Sequence, residues 1–177
     1  MQRISAGAEK YDSRTIWFHW VIAVLVTVQW LGAQTIDWFP RGVWRTDVRS
    51  LHITLGVVIG VVLAARIVWR LTDGRRLPPA DTGALRFAAK FIHFGLYACL
   101  IAMVLVGLLL TWTRGDDIFN LFRIPAFVPG NKILPDQVQE IHATIGWMIV
   151  AGAGIHASAA LVHYYVFKDR VLGRMVP

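Results

Sequence analysis

Charge is what this chain has least of. Of its 177 residues only 16% are charged, while 56% are hydrophobic. A soluble domain carries about 25% charged residues, so a water-soluble globule is excluded. Cysteine is nearly missing as well. Cys99 stands alone, which rules out a disulfide framework. With no partner to make it redox-active, Cys99 reads as plain core. Repeats and low-complexity tracts are absent. The eight Trp, nine Phe and four Tyr exclude a disordered chain, because disordered chains are polar and poor in aromatics.

What the chain does have is four long uncharged runs: Thr15–Ile36, Ser50–Ala65 (continuing through Arg66 to Arg70), Phe91–Thr113 and Ile141–Phe167. A membrane helix needs about 20 apolar residues. Backbone groups in lipid must bond within their own segment. The expected fold is therefore an all-α integral membrane bundle of four transmembrane helices, spanning about 15–36, 50–70, 91–113 and 141–167, in one domain over 1–177. The first run is too long for a cleaved signal peptide and no small-residue cleavage site follows it.

The net charge is +7. In a soluble protein that would point to nucleic acid. Here the basic residues lie in short segments between apolar runs, where they set orientation instead. The segments through Arg14, Arg66–Lys90 and Lys168–Pro177 hold twelve Lys/Arg against five acids, and the opposite loops hold six of each. The Lys/Arg excess marks the cytoplasmic side, so both termini are expected there. Trp17, Trp20, Trp38, Trp69 and Trp112 fall near span ends, as interfacial aromatics do. The connector with Leu77-Pro78-Pro79-Ala80 is ordinary. The outer loop Arg114–Glu140 is longer than connectors usually are. Its segment Ile118–Ile124 is amphipathic and suits the membrane surface, either as a cover over the bundle or as a docking surface.

Six histidines remain, none in mid-loop: His19, His52, His93, His142, His156 and His163. An ionisable residue in a span is a functional hypothesis by default, although one alone is as well explained by an interhelical hydrogen bond. Their depths say more. His142 and His156 are separated by nearly four helical turns, hence share a face about 21 Å apart. His52 opens span two on the same outer level as His142. His19 lies about 7–8 Å in from the cytoplasmic boundary. In a core of about 30 Å, His156 falls close to that level, while His163 falls outside it. This gives two pairs, His52–His142 outside and His19–His156 inside. Paired imidazoles from facing helices in an apolar bundle point to two bis-histidine haems. Imidazole also suits zinc or copper, but such sites usually add carboxylates or thiolates, which are missing beside these histidines.

Gly56 and Gly60 follow His52 at one-turn intervals, Gly146 follows His142, and Gly152 precedes His156. They leave room either for a flat macrocycle or for close helix packing. Arg66 shares a face with His52 near the inner pair. It needs a counter-charge there, such as a haem propionate, or it snorkels to the surface. His93 competes with His19 as a ligand or serves a structural or quinone-bonding role. Trp112 and Arg114 form either an interfacial lid or part of a quinone site.

These residues resemble the bacterial cytochrome b561 family, small di-haem proteins of the inner membrane. The likeness rests on Tyr11-Asp12-Ser13-Arg14 before Trp17-Phe18-His19-Trp20, on Leu51-His52-Ile53-Thr54-Leu55-Gly56, and on the run from Ile141 to Asp169. It implies two non-covalent b-type haems with His19, His52, His142 and His156 as axial and metal ligands. A Cys-x-x-Cys-His motif is absent, so covalent attachment is excluded. The likeness also implies an oxidoreductase of the bacterial inner membrane that exchanges electrons between a small outer donor and the quinone pool. The family includes members that oxidise superoxide. Outer cations (Arg41, Arg45, Arg49, Arg123, Lys132) would steer that anion, but outer acids cancel them in number. Further partners are the lipid bilayer and a second copy or a docked enzyme. The alternative is an electron-conducting anchor subunit of a dehydrogenase or hydrogenase. A third reading, a transporter or metal-uptake bundle, lacks the repeat symmetry and broken helices of transporters.

Overall fold

The computed structural model describes residues 10–176. Arg3 and Glu9, which enter the orientation argument, lie outside the described residues. Helices α1 (Ser13–Thr35), α2 (Val43–Thr72), α3 (Gly83–Arg114) and α4 (Ile133–Val162) follow one another, with a hairpin of β1 (Asp117–Ile118) and β2 (Phe122–Arg123) between α3 and α4. All four helices are long and apolar enough to cross a membrane.

The helices outrun the uncharged segments that announce them. α2 starts at Val43 rather than Ser50, α3 at Gly83 rather than Phe91, and α4 at Ile133 rather than Ile141. An uncharged run measures the hydrocarbon layer. Helical hydrogen bonding continues into the headgroup region, where Arg45, Asp47, Arg49, Arg86, Lys90 and Glu140 reach water. Large apolar side chains such as Val24, Leu31, Val61, Phe91, Phe94 and Leu105 face outward, as expected where lipid is the solvent. Close backbone packing runs α1 on α2, α2 on α3 and most closely α3 on α4, whereas α4 meets α1 and α2 chiefly through large side chains.

The end of the bundle near both termini is fastened by Asp12. Its Oδ1 accepts from Thr15 N at 2.8 Å and from Trp69 Nε1 at 3.2 Å, and its Oδ2 accepts from Thr15 Oγ1 at 2.6 Å and Arg75 N at 3.1 Å. One carboxylate thus caps α1 and ties it to the end of α2. Burial raises the Asp12 pKa, but the Thr15, Arg75 and Trp69 hydrogen bonds outweigh it and bring the group from 3.8 to about 2. A depressed carboxyl stabilises the fold fully above its unfolded value and loses that contribution as pH falls through the folded one. Asp12→Ala should cost about 1 kcal/mol at neutral pH, as N-cap losses do. The gap between variant and native protein should close as pH falls below 3.8 toward about 2. Unfolding in detergent over a pH series measures this, and a gap unchanged at low pH contradicts it.

The tail closes the same end. Trp20 Nε1 donates to Met175 O at 2.8 Å, Tyr11 N to Arg174 O at 3.2 Å, and Arg174 Nη1 to Pro78 O at 2.8 Å. His163 is buried in a π turn, with Nδ1 2.6 Å from Asp169 Oδ2 and Nε2 3.6 Å from Asp81 Oδ2.

At the opposite end the structure adds a detail. Ile118–Ile124 forms a tight antiparallel hairpin, with Ile118 opposite Phe122 and Asp117 opposite Arg123. Phe119 and Asn120 turn the chain at φ 51° and 57°, the left-handed region that Asn tolerates well. The hairpin is pinned to α2 by Ser50, which is 0% exposed. Ser50 Oγ accepts from Phe119 N at 2.8 Å and lies within donating distance of Thr46 O and Asp117 O. Asn120 Nδ2 also donates to Asp47 Oδ1 at 2.9 Å.

Candidate functional site

The structure brings the expected histidines together across the wider gaps between helices. His52 of α2 and His142 of α4 have ring centres 6.2 Å apart at an interplanar angle of 76°. His19 of α1 and His156 of α4 have ring centres 6.1 Å apart at 79°. His52 is held in level by Gln29 of α1, whose Nε2 donates to His52 O at 2.6 Å.

These spacings can be tested against a metal held by both rings. A metal–imidazole bond is about 2 Å, so rings on opposite sides of one metal stand about 6 Å centre to centre. Two rings hydrogen-bonded directly would stand about 5 Å apart, given an N···N distance near 2.9 Å. Both pairs match the first figure. Nδ1 of His52 and Nδ1 of His142 are buried with no hydrogen-bond partner among the described residues, a state that costs about 1–3 kcal/mol per group unless something else compensates. A cavity of about 430 Å³ lies along this pair, lined by Gly56, Gly107, Gly146, Trp30 and Trp147, with Arg49, Arg114 and Asp116 at one end. That is within the usual size of a cofactor pocket. Its walls are mostly apolar, which suits a flat greasy ring. Among the described residues no cluster of three or more His, Cys, Asp or Glu is placed to hold a bare metal ion. The residues present therefore fit haem better than zinc or copper.

Known proteins agree. The profile of the prokaryotic cytochrome b561 family matches residues 10–177. The chain belongs to this family. Cytochrome b561 homolog 1 of Escherichia coli is 29% identical over 175 residues, covering 95% of this chain and 97% of its own length. The probable superoxide oxidase CybB of Yersinia pestis is 29% identical over 172 residues, covering 96% and 97%. Cytochrome b561 homolog 2 of Escherichia coli is 28% identical, covering 95% and 92%. Membership implies b-type haem, electron transport and a multi-pass place in the bacterial inner membrane.

Other features of this b561 protein surround the two pairs. His93 of α3 stands 5.1 Å from His156, on the inner level. Arg66 lies within electrostatic reach of His19, His93 and His156, and its guanidinium sits 5.3 Å over the Tyr97 ring. His163 is apart from all of them, between its two carboxylates. Trp112 packs against Phe127 at 4.7 Å and covers the loop, while Arg114 lines the outer cavity and hydrogen-bonds Gln139.

The glycines divide between the two roles open to them. A Cβ on Gly60 would meet Val104 at 2.9 Å and one on Gly152 would meet Leu96 at 3.1 Å, so both serve helix packing. Gly56 and Gly146 line the cavity. Sequence reasoning missed Gly107 of α3. A Cβ there would stand 3.1 Å from His142 Cε1 and 3.6 Å from its Nδ1, so this glycine seats the ring. It also missed Asp116, which is 7% exposed and bonds Arg49 Nη1 at 3.3 Å. Burial pushes the Asp116 carboxyl up, against the pull of Arg49 and Arg114. No sequence signal marks either residue, because both depend on which helices meet.

Proposed function

We propose that the 177-residue chain acts as one membrane cytochrome b domain with two b-type haems. In this reading His52 and His142 ligate the outer haem and His19 and His156 the inner one. Both termini face the cytoplasm, as the Lys/Arg bias of the inner loops supports. The observation that carries the reading is the pair of 6 Å histidine contacts at two levels of one bundle. Bound haem supplies a one-electron iron couple, and two imidazoles leave its iron no open axial position, so the task is electron transfer rather than oxygen binding.

The chain's own residues do the rest. α4 supplies one ligand to each level and so fixes the distance between them at about 21 Å along its axis. Arg49 and Arg114 at the outer cavity, and Arg66 at the inner level, are the cations placed to hold propionates. Trp30 and Trp147, 5.4 Å apart edge to face, help close the outer cavity and keep water from it. Electrons then pass between an outer-side donor and the quinone pool. Superoxide is the donor favoured by likeness to the Yersinia pestis relative. A pyridine haemochrome assay should give two haems per chain, and superoxide should reduce them in a quinone-linked way. A stoichiometry of one or none defeats the reading.

The exposed tip of the hairpin favours a second reading. Leu121 is 82% exposed beside Phe122, a surface on which a soluble dehydrogenase or hydrogenase would dock to use the chain as its membrane anchor. Purification in mild detergent separates the two: an enzyme that co-purifies supports the anchor, a lone chain or homodimer opposes it.

A further inference from the structure

An electron entering an apolar bundle brings uncompensated negative charge into a medium of low dielectric, where it is expensive. A proton taken up nearby offsets it. The outer end of this bundle holds one residue placed for that. Asp116 borders the cavity along His52 and His142, and also a polar cleft of about 290 Å³ on the loop side. Its backbone is locked, with N donating to Thr111 O and O accepting from Ile124 N. Its carboxylate has a single direct partner, Arg49 at 3.3 Å.

We propose that Asp116 is the proton-accepting group of the outer site. It would take one proton from outer water when one electron from the outer donor enters the haem that His52 and His142 would hold, and would return that proton when the electron moves on. The inference rests on the reading above, that His52 and His142 hold a haem.

Apart from the haem propionates that Arg49 and Arg114 would hold, which Asp116→Asn leaves in place, the described groups facing Asp116 leave it this role. From α2 come Thr46 and Arg49, from α3 Arg114, and from the hairpin Asp117 and Arg123. Arginine does not deprotonate in proteins. Asp117 is bound to Arg123 at 3.2 Å and is half-exposed. Asp47 bonds Asn120 instead. Asp37, though it borders the cavity, is exposed and pairs with Arg45. On α4, Gln139 does not titrate, and Asp136 acts on Arg114 rather than on the carboxylate. Burial raises the Asp116 carboxyl while two arginines oppose that shift, and an added negative charge nearby acts in the same direction as burial.

The test is a spectroelectrochemical titration of the purified, haem-loaded full chain over a pH series spanning neutrality. In the native protein the potential of one haem component should fall with rising pH, by up to about 59 mV per tenfold change in proton activity. Asp116→Asn should flatten that component and leave the other unchanged. Asp116→Glu should keep the slope with a displaced midpoint, and Asp117→Asn, which removes a neighbouring charge but not the proton acceptor, should also keep the slope. A native profile flat for both components, or an equal slope in Asp116→Asn, overturns the inference while two haems leave the functional reading standing. If Asp116→Asn does not fold, a Glu variant with an undisplaced profile overturns it. Fewer than two components in the native protein removes the functional reading itself, and the inference with it.

Discussion

Replacing His52 with alanine should remove one haem of two, and replacing His142 should remove the same one. Alanine at His19 or His156 should remove the other. The rings of each pair stand at the spacing of a shared metal, so on the proposed ligation the loss of either would leave a haem held from one side only in an apolar slot. Retention by a lone imidazole is then weak, and pigment should fall by about half in each variant, as two sites of equal stoichiometry imply. Double variants within a pair should lose no more than the singles, whereas doubles across pairs should be colourless. Haem quantification with low-temperature difference spectra, which separate the two sites, reads both outcomes. His163→Ala should keep full pigment, since that ring is committed to Asp169 and Asp81. Loss of the inner haem in His93→Ala with retention in His19→Ala would transfer the ligand role to His93.

The second large effect is expected at Gly107. Alanine there brings a Cβ to 3.1 Å from His142 Cε1, a contact the ring can relieve by moving a few tenths of an ångström. Gly107→Leu adds a whole side chain where the ring stands. Overpacking of this kind costs about 1–3 kcal/mol and displaces His142 from its partner. The leucine variant should therefore lose the outer haem and keep the inner one, and the alanine variant should keep both with a shifted outer potential. Full pigment with native potentials in Gly107→Leu would show that α3 does not seat this ring.

Much of this was legible in the sequence because lipid is a strict solvent. Each crossing must be a continuous uncharged helix, so Thr15–Ile36 and the other runs announce themselves. Helix ends were not legible. Arg45, Asp47 and Arg49 look like loop residues, yet they sit in helical turns of α2 within reach of water. The hairpin escaped because its strands are two residues long and its turn is made by Phe119 and Asn120, of which only Asn120 hints at a left-handed bend. The histidine levels were legible because rise per residue converts spacing into depth. Gly107, Ser50 and Asp116 were not, since each acts on a residue far away in sequence: Gly107 on His142, Ser50 on Phe119, Asp116 on Arg49.

The neighbour pattern of the helices bears on the order of assembly. Each helix packs mainly on the one made just before it, so docking can proceed stepwise as the chain leaves the ribosome, with little loop-closure entropy to overcome at any stage. α4 follows the same pattern, packing most closely on α3, but it has a second set of neighbours. It carries half of each histidine pair, and the last residues bond back to Tyr11 and Trp20. The bundle is thus a nearly finished box until α4 arrives, and on the proposed ligation neither histidine pair would be complete before that helix is made.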